Sequence, residues 1–190
     1  MKKTSFKSVM ALVAVVVMGV SMSLTMTSCS KSSSSTPTLY DSLGGTKLVA
    51  DPTSTSGATI ETGRLGLRSV VDSTIFVIAA DPELNNKFFS VLLGEVGSGN
   101  LSGFTELSKN LTDFFSVATG AKDYKYTGMD MVTAHNPATN ARMGTKASSA
   151  DFDQFVNDLV KGAQQNKVPS NLIASVGTLV YTLKSQVVQK

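Results

Sequence analysis

The sequence predicts an all-α domain, and the spacing of its apolar residues is the main observation behind this prediction. From about residue 103 to 119, apolar side chains recur three or four positions apart, as on one face of an amphipathic helix. Two later segments, 152–163 and 172–187, show the same spacing. No segment shows sustained alternation of apolar and polar residues, so no sheet is expected.

Local signals help to place these helices along the chain. Residues 65–80 are apolar enough for a buried helix, although their β-branched content weakens that interpretation. Ser148 and Asp151 have the spacing of a capping box, which places a helix start just before residue 152. The pair Pro169-Ser170 is typical of the start of the last helix.

The first 28 residues have the properties of an export signal. Three lysines stand near the start, and the apolar run from residue 9 to 20 is short for a bilayer span. Met26-Thr27-Ser28 then leads into Cys29, a pattern that resembles the lipobox of bacterial lipoproteins. We expect cleavage before Cys29 and lipidation of its thiol; the alternative is an ordinary secretory signal followed by a chance cysteine.

The mature chain then consists of a tether and one domain. Cys29 is the only cysteine, so no internal disulfide can form, and the serine-rich residues 29–38 are typical of a flexible linker. Residues 39–190 are enough for a single core. Through its lipid the protein is expected to be anchored to a membrane of the bacterial cell envelope, facing the periplasm or the exterior.

Charge excludes one class of partner. The whole chain has 17 basic and 14 acidic residues, but three of the lysines precede residue 28, which leaves 14 of each in the mature chain. A neutral domain lacks the positive field that nucleic-acid binding requires. We therefore expect no nucleic-acid partner.

The only histidine, His135, is the strongest candidate for chemistry. A single imidazole cannot serve in a catalytic pair and also hold a metal, so it has one task at most. A lone histidine is most often an ordinary core or surface residue. The segment Tyr126-Thr127-Gly128-Met129-Asp130-Met131-Val132-Thr133-Ala134-His135 nevertheless resembles the proximal haem-ligand segment of the group I truncated haemoglobins.

Three further motifs carry the same resemblance, in the family's order. They are Leu39-Tyr40-Asp41-Ser42-Leu43-Gly44-Gly45, then Val70-Val71-Asp72, then Ala80-Asp81-Pro82-Glu83-Leu84 with Phe88-Phe89. Together they span most of the chain after residue 38. The resemblance implies a truncated-globin-like helical sandwich that binds haem b, with His135 as the proximal iron ligand. It also implies reversible binding of a diatomic gas: oxygen, carbon monoxide or nitric oxide.

Two segments are inserted relative to the family pattern. The polar residues 50–59 are expected to form a solvent-exposed loop. The second insertion, residues 136–146, begins with the turn signal Asn136-Pro137 and directly follows His135. From its position it either covers the cofactor or displaces it.

The resemblance also implies which side chains surround the haem. Large apolar walls come from Phe89, Phe114, Phe115, Met131, Phe152 and Leu179. Tyr126 matches a tyrosine on the side of the haem propionates. Lys109 or Arg142 could add positive charge there, but both also have the character of ordinary solvated surface residues.

The distal side departs from the family. Ile75 stands where a tyrosine usually donates to the gas ligand, Leu111 where a glutamine is frequent, and Leu107 one turn earlier. A hydrogen bond to oxygen in a dry pocket is worth about 1–3 kcal/mol. Without a donor, oxygen should be released faster and carbon monoxide should be little affected, which disfavours long-term oxygen storage.

Three functions therefore compete. The first is a lipid-anchored haem protein that binds a diatomic gas as a sensor, scavenger or electron-transfer partner, with a redox partner that the sequence does not indicate. The second is a haem enzyme. Peroxidase chemistry is disfavoured because no second histidine exists, and nitric oxide dioxygenation because the distal set is apolar. The third is a globin-shaped lipoprotein that has lost haem and acts as a binding or structural module.

Overall fold

The computed structural model describes residues 36–190, and this part of the chain is mainly helical. Its helices are α1 Leu39–Ser42, α2 Thr62–Ala80, α3 Ser90–Gly97, α4 Ser102–Ala118, α5 Met131–Ala134, α6 Ser149–Gln165, α7 Ser170–Tyr181 and α8 Lys184–Val187, and a π-helical turn, Asn85–Phe89, precedes α3. The prediction of a mainly helical fold is confirmed. The signal segment, Cys29 and the tether up to residue 35 lie outside the described residues.

The first helix is held at both ends by short-range contacts. The Thr38 hydroxyl accepts a hydrogen bond from the Asp41 amide, and the Asp41 carboxylate accepts one from the Thr38 amide, which forms a capping box. Thr38 therefore belongs to the folded domain. After α1 the chain turns through Gly44 and Gly45, whose φ angles of +127° and +62° favour glycine.

Residues 51–58 form a largely exposed loop, as predicted, but the expectation that the domain has no sheet was wrong, because the two ends of this loop pair as strands. Strand β1, Leu48–Ala50, pairs antiparallel with β2, Thr59–Glu61, with Val49 opposite Ile60. Strands of three residues are too short to show alternation, which is why the sequence pattern did not reveal them. Tertiary contacts hold the hairpin: Arg68 pairs with Asp51 at 2.8 Å, and Tyr40 donates to the buried Glu61 at 2.6 Å.

The core is a sandwich of two helix pairs, α2 with α4 and α6 with α7, joined where α2 packs against α6. The closest approach is at Gly162 of α6, where an added Cβ would lie 2.9 Å from the Thr74 amide nitrogen of α2. Only glycine fits at this crossing. The buried cluster around it contains Tyr40, Leu67, Val71, Ile75, Phe115, Phe152, Val156, Leu159 and Val180.

The periodicity over residues 172–187 corresponds to two helices rather than one. Helix α7 ends at Tyr181 and α8 begins at Lys184. Both place apolar side chains on the core, so the pattern continues across the break; Val180 and Val187 are buried. Beyond α8, Gln189 donates its amide hydrogen to the Ala147 carbonyl at 2.9 Å, which ties the C-terminal tail to the start of α6.

The helix starts predicted from capping are confirmed. The Ser148 hydroxyl accepts from the Asp151 amide and the Asp151 carboxylate accepts from the Ser148 amide, so α6 begins at Ser149 with the predicted capping box. Within residues 36–190, none of the helices combines the length and the apolar character that crossing a membrane requires.

Candidate functional site

The site is built on α5, a four-residue helix that is held by groups from outside it. So short a helix has almost no stability of its own. Its N-terminus is capped by Asp130, which accepts from the Thr133 amide at 3.0 Å. Its carbonyls accept from side chains of other segments: Gln189 donates to Val132 at 2.8 Å, and Asn140 to Ala134 at 2.7 Å. Helix α5 therefore has a defined position, and so has the residue that ends it.

That residue is His135, and its tautomer follows from one contact. Nδ1 lies 2.8 Å from the carbonyl oxygen of Met131. A carbonyl can only accept, so Nδ1 carries the hydrogen and Nε2 carries a lone pair. Burial lowers the pKa of His135 and outweighs the opposing effect of the Met131 hydrogen bond. The imidazole is thus neutral at pH 7, and among the described residues Nε2 has no hydrogen-bond partner.

One face of α4 carries large apolar side chains that are only partly buried. Leu107, Leu111 and Phe114 lie four and three residues apart and so share a helix face. All three are only half-buried although they are large and apolar. The Phe114 ring meets the ring of Tyr126 edge-on at 5.6 Å between centroids. Phe114 therefore contacts the segment that leads to His135, and Leu107 and Leu111 lie on the same face of α4 as Phe114.

Tyr126 has its hydroxyl engaged within the same segment. The hydroxyl donates to the carbonyl of Met129 at 2.5 Å, and burial followed by the charge of Asp130 raises its pKa. The structure thus brings Tyr126 next to Phe114. Its hydroxyl supports the turn before α5.

The other predicted wall residues fall into two groups. Ile75, Phe115 and Phe152 are 2%, 5% and 2% exposed and lie in the packed core. Phe89, Met131 and Leu179 are half-buried, like the α4 residues. The apolar side chains that retain accessible surface are thus those of the π-helical turn, α4, α5 and α7. Ile75 belongs to the buried core cluster.

Neither of the two candidate cations is free. Lys109 pairs with Asp113 at 2.6 Å, and Asp113 also accepts from Arg64 at 2.5 Å. Arg142 pairs with Glu95 and Glu106, each at 3.2 Å. Both cations thus form salt bridges with carboxylates of the same chain.

Arg142 belongs to the strap, the name we give here to residues 136–146. The strap starts at His135, caps α5 through Asn140, and reaches the ends of α3 and α4 through the pairs of Arg142 with Glu95 and Glu106. The second insertion therefore joins the histidine side of the site to the α4 side. Sequence reasoning missed Asn140 and Gln189, because their partners are distant or lie in irregular backbone. It singled out Arg142, but for a contact with the haem propionates and not for the pairs with Glu95 and Glu106.

These residues fit a haem group by the chemistry of their donors. An axial ligand requires a neutral imidazole with one ring nitrogen held by an acceptor and the other free, as in His135. A porphyrin also requires apolar side chains with accessible surface, which α4 supplies. Among residues 36–190, no group of three His, Cys, Asp or Glu side chains is placed to hold a metal ion without such a macrocycle.

Comparison with known proteins places the fold. No protein-family model and no curated protein sequence matches the chain. Among solved structures, the truncated haemoglobin of Tetrahymena pyriformis, in a variant in the Fe(III) form, superposes with a TM-score of 0.57 at 18% identity, over 81% of this chain and 100% of that one. The 2/2 haemoglobin of Synechococcus sp. PCC 7002, in the cyanomet state with covalently attached haem, gives 0.56 at 21% identity, again over 81% and 100%.

Both structures are covered over their whole length, so the match includes the entire domain and not only one helix pair. At this identity the match concerns backbone architecture and not the identity of site residues. The sandwich of α2 and α4 on α6 and α7, with His135 at the end of α5, is thus the fold of the truncated (2/2) haemoglobins.

Proposed function

We propose that this protein binds haem b through His135 and reversibly binds a diatomic gas. The observation that carries the proposal is the hydrogen bond from His135 Nδ1 to the Met131 carbonyl, which leaves Nε2 unprotonated and without a partner among the described residues. It is supported by the truncated-haemoglobin fold and by the half-buried apolar face of α4. The Tyr126-to-His135 motif supports placement in group I.

Specific residues would hold the group. His135 would supply the proximal ligand, and Leu107, Leu111, Phe114 and Phe89 would supply apolar walls. When bound, haem would supply an iron that can bind oxygen, carbon monoxide or nitric oxide. The chain itself holds the imidazole neutral and oriented.

The apolar character of α4 indicates which gases are favoured. The side chains of Leu107 and Leu111 have no hydrogen-bond donor, and Ile75 is buried in the core. Oxygen gains more from a donor than carbon monoxide does. We infer that the protein senses, scavenges or transfers electrons rather than storing oxygen.

The test is haem titration of the purified full-length protein in detergent, followed by visible absorption. We expect stoichiometric binding with an intense Soret band. The His135→Ala variant should lose this spectrum, and added imidazole should restore it because it refills the same coordination position. Met129→Leu is the matched control, since Met129 is exposed and the substitution keeps its carbonyl, which accepts from Tyr126.

Two outcomes would overturn the proposal. An unchanged spectrum in His135→Ala would mean that another group ligates the iron. Absence of saturable haem binding in the unmodified protein would favour the alternative, a globin-shaped binding or structural module without haem.

We also propose that the mature chain starts at a lipidated Cys29 and is anchored to a membrane of the cell envelope. The support is the sequence alone: the lipobox-like Met26-Thr27-Ser28 before the single cysteine, and the polar tether after it. Two or more acyl chains at about 0.8 kcal/mol per buried methylene hold a protein firmly on a membrane.

Mass spectrometry of the mature N-terminus checks the anchor. A diacylated or triacylated Cys29 is expected, and Cys29→Ala should leave the precursor unprocessed or send it to the soluble fraction. Ser30→Ala serves as the control. An unmodified N-terminus beyond residue 29 would contradict the anchor and leave the haem proposal unaffected.

A further inference from the structure

A cavity lies away from His135, between the α1–α2 turn and the α6–α7 turn. Its volume is about 360 Å³, within the range of about 300–1,000 Å³ that holds small organic ligands. Leu43, Leu67, Val70 and Leu172 form its apolar floor. Leu43, Leu67 and Val70 also line an adjoining inner crevice of about 30 Å³, whose lining includes Phe115.

The mouth of the cavity is polar and carries one cation. Ser42, Ser69, Asn166 and Lys167 lie at its edge. The Asn166 side-chain amide is used within the protein, since it donates to the Ser73 hydroxyl at 2.8 Å and to the Gly162 carbonyl. Lys167 has no salt bridge within the described residues. The ammonium of Lys167 is therefore the group at the mouth that is available to a ligand.

The backbone at Lys167 has a conformation that glycine adopts more easily than lysine. Lys167 follows the C-cap of α6 with φ of +57°, and it is the one non-glycine residue with positive φ among residues 36–190. Its amide donates to Gln164 and the next amide to Ala163, the hydrogen bonds of a helix end that usually has glycine at this position. Local stability would favour glycine, and a lysine here places a charge at the cavity.

We propose that this cavity binds a medium-chain alkyl carboxylate, with its head group at Lys167 and its chain along Leu43, Leu67 and Val70 towards the inner crevice. One cation at the mouth matches a single negative charge. An apolar floor that narrows inward matches an unbranched chain. The site does not involve His135, so the inference goes beyond haem binding and does not depend on it.

The probe is sodium decanoate, titrated into the full-length protein by calorimetry below its micelle concentration. We expect one saturable site. Across octanoate, decanoate and dodecanoate, affinity should rise up to about fourfold per methylene until the inner crevice is filled. Decanol, which has the chain without the charge, should bind more weakly.

Two variants test the two halves of the site and preserve the fold. Lys167→Gln removes the charge and should weaken decanoate binding about fivefold, the effect of an exposed ion pair, without changing decanol binding. Gly66→Leu fills the cavity from α2 and should abolish both. An added Cβ at Gly66 makes only ordinary contact, 3.5 Å from the Leu43 carbonyl, and leucine suits a helix better than glycine.

Lys125→Gln and Gly94→Leu are the matched controls, because Lys125 has no ion pair among the described residues and a Cβ at Gly94 meets nothing within 4 Å. Both should bind decanoate like the unmodified protein. Absence of saturable binding, or binding that Gly66→Leu leaves intact, would overturn the proposal. The proposal would also be overturned if decanoate displaced haem and bound both variants as tightly as the unmodified protein, because decanoate would then occupy the haem site.

Discussion

At the scale of single residues, the main-chain carbonyl of Met131 determines the chemistry of the only histidine. By accepting from Nδ1 it selects the tautomer with a free Nε2, and burial keeps the ring neutral by lowering its pKa. A protonated imidazole could not serve as a metal ligand. The candidate distal residues Leu107 and Leu111 have no hydrogen-bond donor in their side chains, so a single substitution can test the gas preference proposed above.

We expect Leu111→Gln to slow oxygen release from the haem-loaded protein about tenfold, because a new hydrogen bond worth about 1.4 kcal/mol corresponds to that factor. Carbon monoxide release should change much less. Stopped-flow ligand release measures both. Leu111 is half-buried and has room for the change, whereas Ile75→Tyr would overpack a fully buried site at a cost of about 1–3 kcal/mol.

Leu101→Gln is the control, since Leu101 is exposed just before α4. Equal oxygen release from Leu111→Gln and the unmodified protein would show that Leu111 does not face the ligand.

At the scale of elements, α5 is too short to be stable alone and is held in position by contacts with other segments. The strap and the C-terminal tail supply donors to its carbonyls, and Asp130 caps its start. The strap itself is held by Arg142 at Glu95 and Glu106. The position of His135 thus depends on contacts that begin at α3 and α4.

We expect Arg142→Gln to release the strap. Hydrogen exchange over residues 136–146 should accelerate in the protein without haem, and haem should dissociate about fivefold faster, the effect of losing roughly 1 kcal/mol in partly exposed ion pairs. Exchange mass spectrometry and haem transfer to an acceptor globin measure the two effects.

Lys146→Gln, an exposed lysine of the same strap, is the control, and the charge-swapped pair Arg142→Glu with Glu106→Arg should restore part of the loss. Unchanged exchange in Arg142→Gln would show that the ion pairs do not hold the strap.

The N-terminus of α6 gives a pH-dependent contribution to stability. Burial alone would raise the pKa of Asp151, but hydrogen bonds from Lys87 and Ser148 outweigh it and lower the pKa from 3.8 to about 2. A carboxyl whose pKa is lower in the folded state stabilises the protein above its unfolded pKa. This stabilisation is lost as pH falls from about 4 to about 2.

Urea unfolding followed by circular dichroism should therefore show that acid lowers the free energy of unfolding less in Asp151→Asn than in the unmodified protein. Asp123→Asn replaces an exposed aspartate and should lose as much free energy of unfolding in acid as the unmodified protein does. Identical pH profiles for Asp151→Asn and the unmodified protein would contradict this assignment.

At the scale of the whole molecule, the sandwich depends on the close crossing of α2 and α6. Gly162 allows the α6 backbone to approach Thr74, and the buried cluster forms around this contact. The same architecture leaves the half-buried face of α4 on one side and the cavity at Lys167 on the other. One packing arrangement therefore creates two separate sites.

We expect Gly162→Ala to destabilise the protein by about 1–3 kcal/mol, because the added methyl group would lie 2.9 Å from the Thr74 amide nitrogen and the helices must separate. Thermal unfolding checks this. Gly94→Ala, in an open stretch of α3, should be neutral or stabilising because alanine favours a helix. Equal melting temperatures for Gly162→Ala and the unmodified protein would show that the crossing is not tight.

The sequence by itself determined the features that depend on near neighbours along the chain. Apolar spacing located α2, α4 and α6, and the Ser148 and Asp151 pair placed the start of α6, because helix periodicity and capping act within a few residues. The motif that ends at His135 indicated the globin fold. Haem ligation by His135 and lipidation of Cys29 remain predictions.

Only the tertiary structure decided the features whose partners are distant in sequence. The hairpin at residues 48–61 depends on contacts with Arg68 and Tyr40. The break before α8 depends on packing against the core. The burial of Ile75 and Phe115 depends on the crossing of α2 and α6. The caps of α5 come from Asn140 and Gln189. Contacts of this kind produce no periodic pattern in the sequence. Their energy depends on residues that come together only when the helices pack in the folded protein.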